Sequence, residues 1–250
     1  ELPEVNEIPP GVLVLLGSQT TDLEAMPAAV RHQVSETDRR IELGQLDAAR
    51  VQEVIDAWSL EPPLEDRQTE RIKHLVAGHP LSLTYVLRYL DGVTAIDERD
   101  RRLASFPPYA GDLAGHYLAY WTTLSEERDV ADALALLARI RGPIDVPSLV
   151  AHLNAPGLGT RIAERVGHYF RRPTAHRWTF FHDSFRQFIV DRTHLDDVAC
   201  HQRLAAWREG EPGSPELLYH RVMAGNEEAA LGLATYDYFR EQYIRRRPPE

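Results

Sequence analysis

The sequence predicts a mainly α-helical fold with two short strands and no membrane span, and three observations predict it. Apolar residues recur at helical spacing along most of the chain, as in Val51, Val54, Ile55 and Trp58. Gly and Pro punctuate these segments, marking where one helix stops and the next begins. Only two stretches read as strands. Residues 11–20 form an apolar run ending in small polar residues, and residues 177–181 are rich in aromatics and Thr.

Taken in order, residues 11–20 read as a buried parallel strand whose carboxyl end carries Ser18, Gln19 and Thr20. In open α/β sheets that end is where ligands bind. Asp47 can cap the helix bearing Val51 and Trp58, which Glu61-Pro62-Pro63 stops. A second helix holding Ile72, Leu75 and Val76 ends at Gly78, and Pro80 opens a third with Leu83, Val86, Leu87 and Leu90. After the Pro107-Pro108 break, Leu113, Tyr117, Tyr120 and Trp121 point inward from another helix.

Ser125 reads as the cap of a helix with Val130, Leu134, Leu137 and Ile140. Pro147 begins the next, with Leu149, Val150 and Leu153, and a turn at Pro156-Gly157-Leu158-Gly159 leads into a third over residues 160–170. A hairpin through residues 177–181 closes this unit, giving the helix-helix-helix-hairpin order of a winged-helix domain. Beyond about residue 195 the pattern changes to helical hairpins. Leu204 and Trp207 mark one helix, and the run from Leu217 through Gly225-Asn226 to Ala230 marks a pair like an α-solenoid repeat of tetratricopeptide type.

Bulk properties narrow the function classes. Hydrophobic residues make up 43% of the 250, enough for ordinary cores. The single cysteine, Cys200, excludes a disulfide framework within the chain and points to a reducing, cytoplasmic setting. Cys200-His201 has no second ligand pair at metal spacing, so no metal site is expected, and the scattered histidines read as core or surface residues. A net charge of −10 disfavours nucleic-acid binding through this segment. Arg171, Arg172 and Arg177 are the local exception. The helix over residues 160–170 nevertheless offers Arg161, Glu164 and Arg165 outward, a mixed face without Asn or Gln for base edges. No nucleophile elbow and no His-Glu-x-x-His pair occurs, so no catalytic residue is assigned.

Two short motifs carry the chemistry. Gly78-His79-Pro80 sits at a helix-helix corner, where Gly permits close backbone approach and Pro presents a rigid apolar ring. His182-Asp183 lies at a strand-to-helix junction, beside free N–H groups and a positive helix end that suit an anion. The plain alternative for His182 is a loop histidine beside a core helix capped by Asp183 or Ser184.

The order of strand, Gly-x-Pro corner and His-Asp junction resembles the C-terminal half of a STAND-class nucleotide-binding module of the NACHT or NB-ARC kind. The resemblance covers about residues 10–190 and implies a mainly α chain of four parts. Residues 1–43 would end a P-loop α/β core, 44–124 form a helical lid, 125–194 a winged helix, and 195–250 the start of a helical repeat region. Gly78 and Pro80 match the family's Gly-x-Pro, with Pro80 packing on adenine. His182 with Asp183 matches Met-His-Asp, Phe181 replacing the methionine, and would approach the β-phosphate of ADP. Ser18 and Gln19 fall at the sensor position, where many members carry an arginine.

No Gly-x-x-x-x-Gly-Lys-Ser/Thr cradle and no aspartate-ended strand ahead of residue 10 is found, so the resemblance implies a longer parent beginning before Glu1. The parent would bind ADP or ATP with Mg, sense a trigger protein or other ligand through its C-terminal helices, and self-associate to activate an N-terminal effector in defence or signalling. A STAND-type transcription regulator and a non-catalytic helical scaffold are the alternatives.

Overall fold

The computed structural model describes residue 31 and residues 43–246, apart from 173, 175, 194 and 211–213. The chain divides into two units, Glu1–Gln45 and Leu46–Glu250, and the second holds the apolar core. The expected strand over residues 11–20, with Ser18 and Gln19, lies outside the described residues.

The architecture is mainly helical with one small antiparallel sheet. Five helices come first: α1 (Ala48–Trp58), α2 (Asp66–Val76), α3 (Pro80–Leu90), α4 (Ile96–Ser105) and α5 (Leu113–Leu124). Local chemistry accounts for most of their ends. The Asp47 carboxylate accepts the Arg50 N–H at 2.8 Å and so caps α1. Helix α2 closes on Ala77 and Gly78, both at positive φ (45° and 77°). The second of these is a position where glycine carries no steric penalty. Pro80 then occupies the first turn of α3, where its missing N–H costs nothing.

Helix α4 is absent from the sequence expectation because its residues, Ile-Asp-Glu-Arg-Asp-Arg-Arg-Leu-Ala-Ser, show almost no apolar stripe. A buried arginine anchors it instead. Arg99 is fully enclosed, donating from Nε to the Val93 carbonyl at 2.7 Å and from Nη1 to the Pro62 carbonyl at 2.5 Å. A guanidinium can therefore hold two loops together by satisfying carbonyls that would otherwise be buried unpaired.

Next come α6 (Arg128–Leu137), β1 (Ile144–Asp145), α7 (Val146–His152), α8 (Leu158–Val166), a 3₁₀ turn (Gly167–Tyr169), β2 (Phe170–Arg171) and β3 (Arg177–Phe180). The sheet order is β1-β3-β2, with Ile144 opposite Trp178 and Phe170 opposite Phe180. Several expected boundaries change here. Ser125 does not cap α6: its backbone stays right-handed helical and its N–H bonds the Trp121 carbonyl at 2.8 Å, so it closes α5. Helix α7 is capped by Asp145, whose carboxylate takes the Ser148 N–H, and Pro147 falls inside its first turn rather than opening it. The helix expected over residues 160–170 starts earlier and stops at Val166, because its last residues are drawn into the turn and β2. The strand expected over residues 177–181 ends at Phe180, since Phe181 donates its N–H to the Tyr169 carbonyl beyond the ladder.

Five helices finish the described chain: α9 (Asp183–Arg192), α10 (Asp197–Arg208), α11 (Pro215–Met223), α12 (Glu227–Leu233) and α13 (Tyr236–Arg246). Asn226 caps α12 after a positive-φ Gly225, as the Gly-Asn pair implies. One apolar cluster runs from Val51 on α1 to Trp207 on α10, so the first ten helices and the sheet share a core. Beyond it the packing thins, and Tyr236, Phe239, Tyr243 and Ile244 on α13 are exposed. Among the described residues no helix is long and apolar enough to cross a membrane.

Candidate functional site

The two histidines of the sequence motifs sit at the starts of two helices and do the same job at each. His79 is the cap of α3: extended at φ −76°, it accepts the Ser82 N–H on Nδ1 at 3.2 Å. His182 is the cap of α9, accepting the Ser184 N–H on Nδ1 at 3.1 Å. Capping of α9 by Asp183 or Ser184 is thereby corrected. Asp183 is already helical, and its carboxylate turns outward to bond Arg186 Nε at 2.6 Å. An imidazole can cap because its bare nitrogen is an acceptor at the reach of an Asn side chain.

Using Nδ1 as the acceptor has a chemical consequence. In the neutral ring the proton then resides on Nε2, so each histidine carries its donor on the side away from its own helix end. Both rings lie at the amino ends of helices of about three turns, where unbonded N–H groups and the macrodipole favour negative charge. The rings are electrostatically within reach of each other. Burial chiefly, and then the His182 side chain, lower the affinity of His79 for a proton. His79 also stacks on Tyr109 at 4.2 Å, which fixes its plane. Beside it Gly78 is buried, its carbonyl bonded to the Leu46 N–H at 2.8 Å, while the Pro80 ring is exposed at the surface.

His182 is further held by a relay of hydroxyls. The Ser184 hydroxyl lies 2.7 Å from His182 Nδ1, the Tyr117 hydroxyl 2.8 Å from Ser184 Oγ, and the Tyr85 hydroxyl 3.1 Å from that of Tyr117. Since Nδ1 is the acceptor, the donors run in one direction, Tyr85 to Tyr117 to Ser184 to His182. The relay spans α3, α5 and α9, so the orientation of His182 depends on how these helices pack. Under it lies an aromatic cluster. Tyr169 stacks on Phe185 at 4.0 Å, and its hydroxyl donates to His116 Nε2 at 3.1 Å. His116 Nδ1 donates to the Pro107 carbonyl at 3.2 Å. Burial, more than anything else, pushes the His116 pKa down to about 4, so it is a neutral core residue.

The structure thus places Gly78 and Pro80 at the start of α3 and His182 at the start of α9, and adds His79, Ser184 and Tyr117 to these two helix starts. Sequence reasoning treats His79 only as the variable middle residue of Gly-x-Pro. The signal that marks it is its place immediately before a first-turn proline, which is the cap position. Ser184 and Tyr117 carry no such signal, because their bond joins residues far apart in sequence.

The arrangement offers imidazole N–H groups at two helix amino ends, a donor set whose chemistry suits an anion. Among the described residues no group of three or more His, Cys, Asp or Glu is gathered as for a metal. The outward face of α8 is engaged within the molecule: Arg161 pairs with Asp129, and Arg165 Nη2 lies 2.9 Å from Glu127. Compared with known proteins, the chain matches no family model and no curated relative.

Proposed function

We propose that this chain is the regulatory half of a STAND-class nucleotide switch, in which His79 and His182 hold a nucleoside diphosphate across a helical lid and a winged helix. In this reading α1 to α5 form the lid. Helices α6 to α9 with the β1-β3-β2 sheet form the winged helix, and α10 to α13 begin a tetratricopeptide-like sensor region. One observation carries the proposal: two imidazoles from distant segments each commit Nδ1 to a helix cap, which sets Nε2 as the protonated nitrogen of the neutral ring at each of two positive helix ends.

Phosphate oxygens suit that donor set, and the exposed Pro80 ring offers the neighbouring apolar surface for a base. His182 would bond the diphosphate only while the lid and winged helix together are closed against the parent's α/β core. The ligand therefore favours the closed state, and a trigger on α10 to α13 that prefers the open state would release it. The remaining phosphate cradle and Mg ligands would come from the parent's α/β core.

The test is His182→Ala in the full-length parent. It removes one sheltered hydrogen bond to the ligand, worth about 1–3 kcal/mol. The open population should rise by about one to two decades, because each 1.4 kcal/mol shifts the ratio about tenfold. ADP should be lost on gel filtration and the protein should oligomerise without a trigger. A monomer still carrying ADP would return His182 to the role of a helix cap alone.

A further inference from the structure

A cleft of about 800 Å³ lies beside the far end of α3, bounded by α8, the 3₁₀ turn and β2. Its lining includes Arg88, Arg171 and Arg172. None of the three forms an ion pair with a carboxylate among the described residues. The side chains of Arg88 and Arg172 donate to main-chain carbonyls instead. Arg88 donates from Nε to His168 at 3.1 Å and from Nη2 to Phe170, and Arg172 Nη2 donates to Ala163 at 3.2 Å. Carbonyls hold the guanidiniums in place without neutralising them.

Keeping three uncompensated cations together is costly. Burial and neighbouring arginines both work against the charge on Arg88 and Arg172, and for Arg88 the nearby Asp91 carboxylate offsets only part of this. The chain carries a net charge of −10, so carboxylates to relieve the cluster are plentiful elsewhere. Two further features mark the place as built. Gly167 lies so close to the Arg172 guanidinium that a β-carbon would collide with Nη2. His168, on the cleft lining, is buried with neither ring nitrogen hydrogen-bonded. Its ring is packed among Tyr89, Tyr120 and Tyr169, and leaving both nitrogens unpaired there costs stability.

We propose that this cleft binds a small polyphosphate anion, two or more linked phosphoryl groups, gripped by Arg88, Arg171 and Arg172. Planar guanidiniums match phosphoryl oxygens in pairs. The nearby ring faces are already taken: Arg172 covers Trp178 at 4.4 Å, and Arg171 and Arg88 cover Phe181 at 4.9 and 5.1 Å. Recognition therefore rests on charge and not on base stacking. The concave shape of the cleft suits a compact anion and disfavours the continuous backbone of a duplex. The cleft lining includes neither His79 nor His182, and the inference does not depend on the nucleotide reading.

The experiment is calorimetric titration of the 250-residue chain with sodium tripolyphosphate at low salt, beside a short DNA duplex. Saturable binding of tripolyphosphate is expected. Arg171→Gln with Arg172→Gln should weaken it at least about tenfold, since charge-assisted bonds are lost. Arg171→Gln alone, at an exposed residue whose loss leaves the fold intact, should weaken it several-fold, and Gly167→Ala should do likewise by displacing Arg172. His182→Ala should leave the affinity unchanged. Absence of saturable binding, equal binding by the arginine variants, or tighter binding of the duplex would each overturn the inference. Loss in His182→Ala with retention in Arg171→Gln would also overturn it, by assigning the anion to the histidine site.

Discussion

Two pairs of histidines in this molecule have opposite fates. His79 and His182 are half-buried, and each gives Nδ1 to its own helix and carries its proton on Nε2. His201 on α10 and His220 on α11 are buried and face each other, Nδ1 to Nδ1, at 2.8 Å. Behind them stand carboxylates. Glu216 lies 3.3 Å from His220 Nε2, and Asp197 lies 3.8 Å from His201 Nε2. Glu216 is the nearer and the more enclosed. Only one of the two rings can donate across the Nδ1–Nδ1 contact, so each commits that nitrogen to the other. Residue type alone does not make a binding histidine. What decides is how deeply the fold buries the ring and which partners it sets against each nitrogen.

The buried pair also joins regions. Arg139, just after α6, donates to Asp197 at 2.6 Å, and the Arg141 N–H donates to Glu216 at 3.3 Å. A proposed trigger site on the last helices is thereby tied to the proposed winged helix through charged groups, one of which, Arg139, is almost wholly buried.

The comparison breaks most readily at His220. Replacing it with Ala opens a cavity and strands both His201 and Glu216, so the loss of stability should be about 3–4 kcal/mol. Urea unfolding should show the fall while nucleotide retention by the folded parent is unchanged. If ADP is lost with no change in stability, the assignment of structural and binding roles to the two pairs is reversed.

Acid should act next, through His116. Its folded pKa of about 4 lies below the ordinary histidine value of 6.5. Between those limits the unfolded chain takes up a proton that the folded chain refuses, so stability is complete above about pH 6.5 and falls as pH drops toward 4. His79 and His201, both held below the usual range first by burial, add to the same slope. For His116 the loss is about 3 kcal/mol across the window. Denaturant midpoints at pH 7, 5.5 and 4.5 check it, and a flat profile would refute the buried neutral assignment.

The smallest expected effect belongs to Tyr117→Phe, which cuts the hydroxyl relay between Tyr85 and Ser184. About 1 kcal/mol of stability should be lost. In the proposed nucleotide switch the ADP off-rate should rise several-fold, because His182 loses its orienting chain. A change in stability with an unaltered off-rate would confine the relay to packing.

Much of the local architecture is legible from residue order. Asp47, Pro80, Gly225 and Asn226 act through bonds or dihedrals within a few residues, and each ends or starts a helix as its chemistry dictates. Cap positions depart from expectation where a competing neighbour wins. Ser125 yields to the continuing helix α5, and Asp183 yields to His182, an uncommon capping residue. Helix α4 is invisible in the sequence because a single buried arginine stands in for an apolar stripe.

The sequence by itself determined the helical class, the position of the corner at Gly78 and Pro80, and the junction at His182, since these follow from short-range sterics and backbone bonding. Only the tertiary structure decided that His79 comes within electrostatic reach of His182, that His201 meets His220, and that Arg88, Arg171 and Arg172 share a cleft without carboxylate partners among the described residues. The physical reason is separation along the chain. A bond between residues three apart is written into their spacing, whereas one between Tyr117 and Ser184 exists only after the core has closed around it.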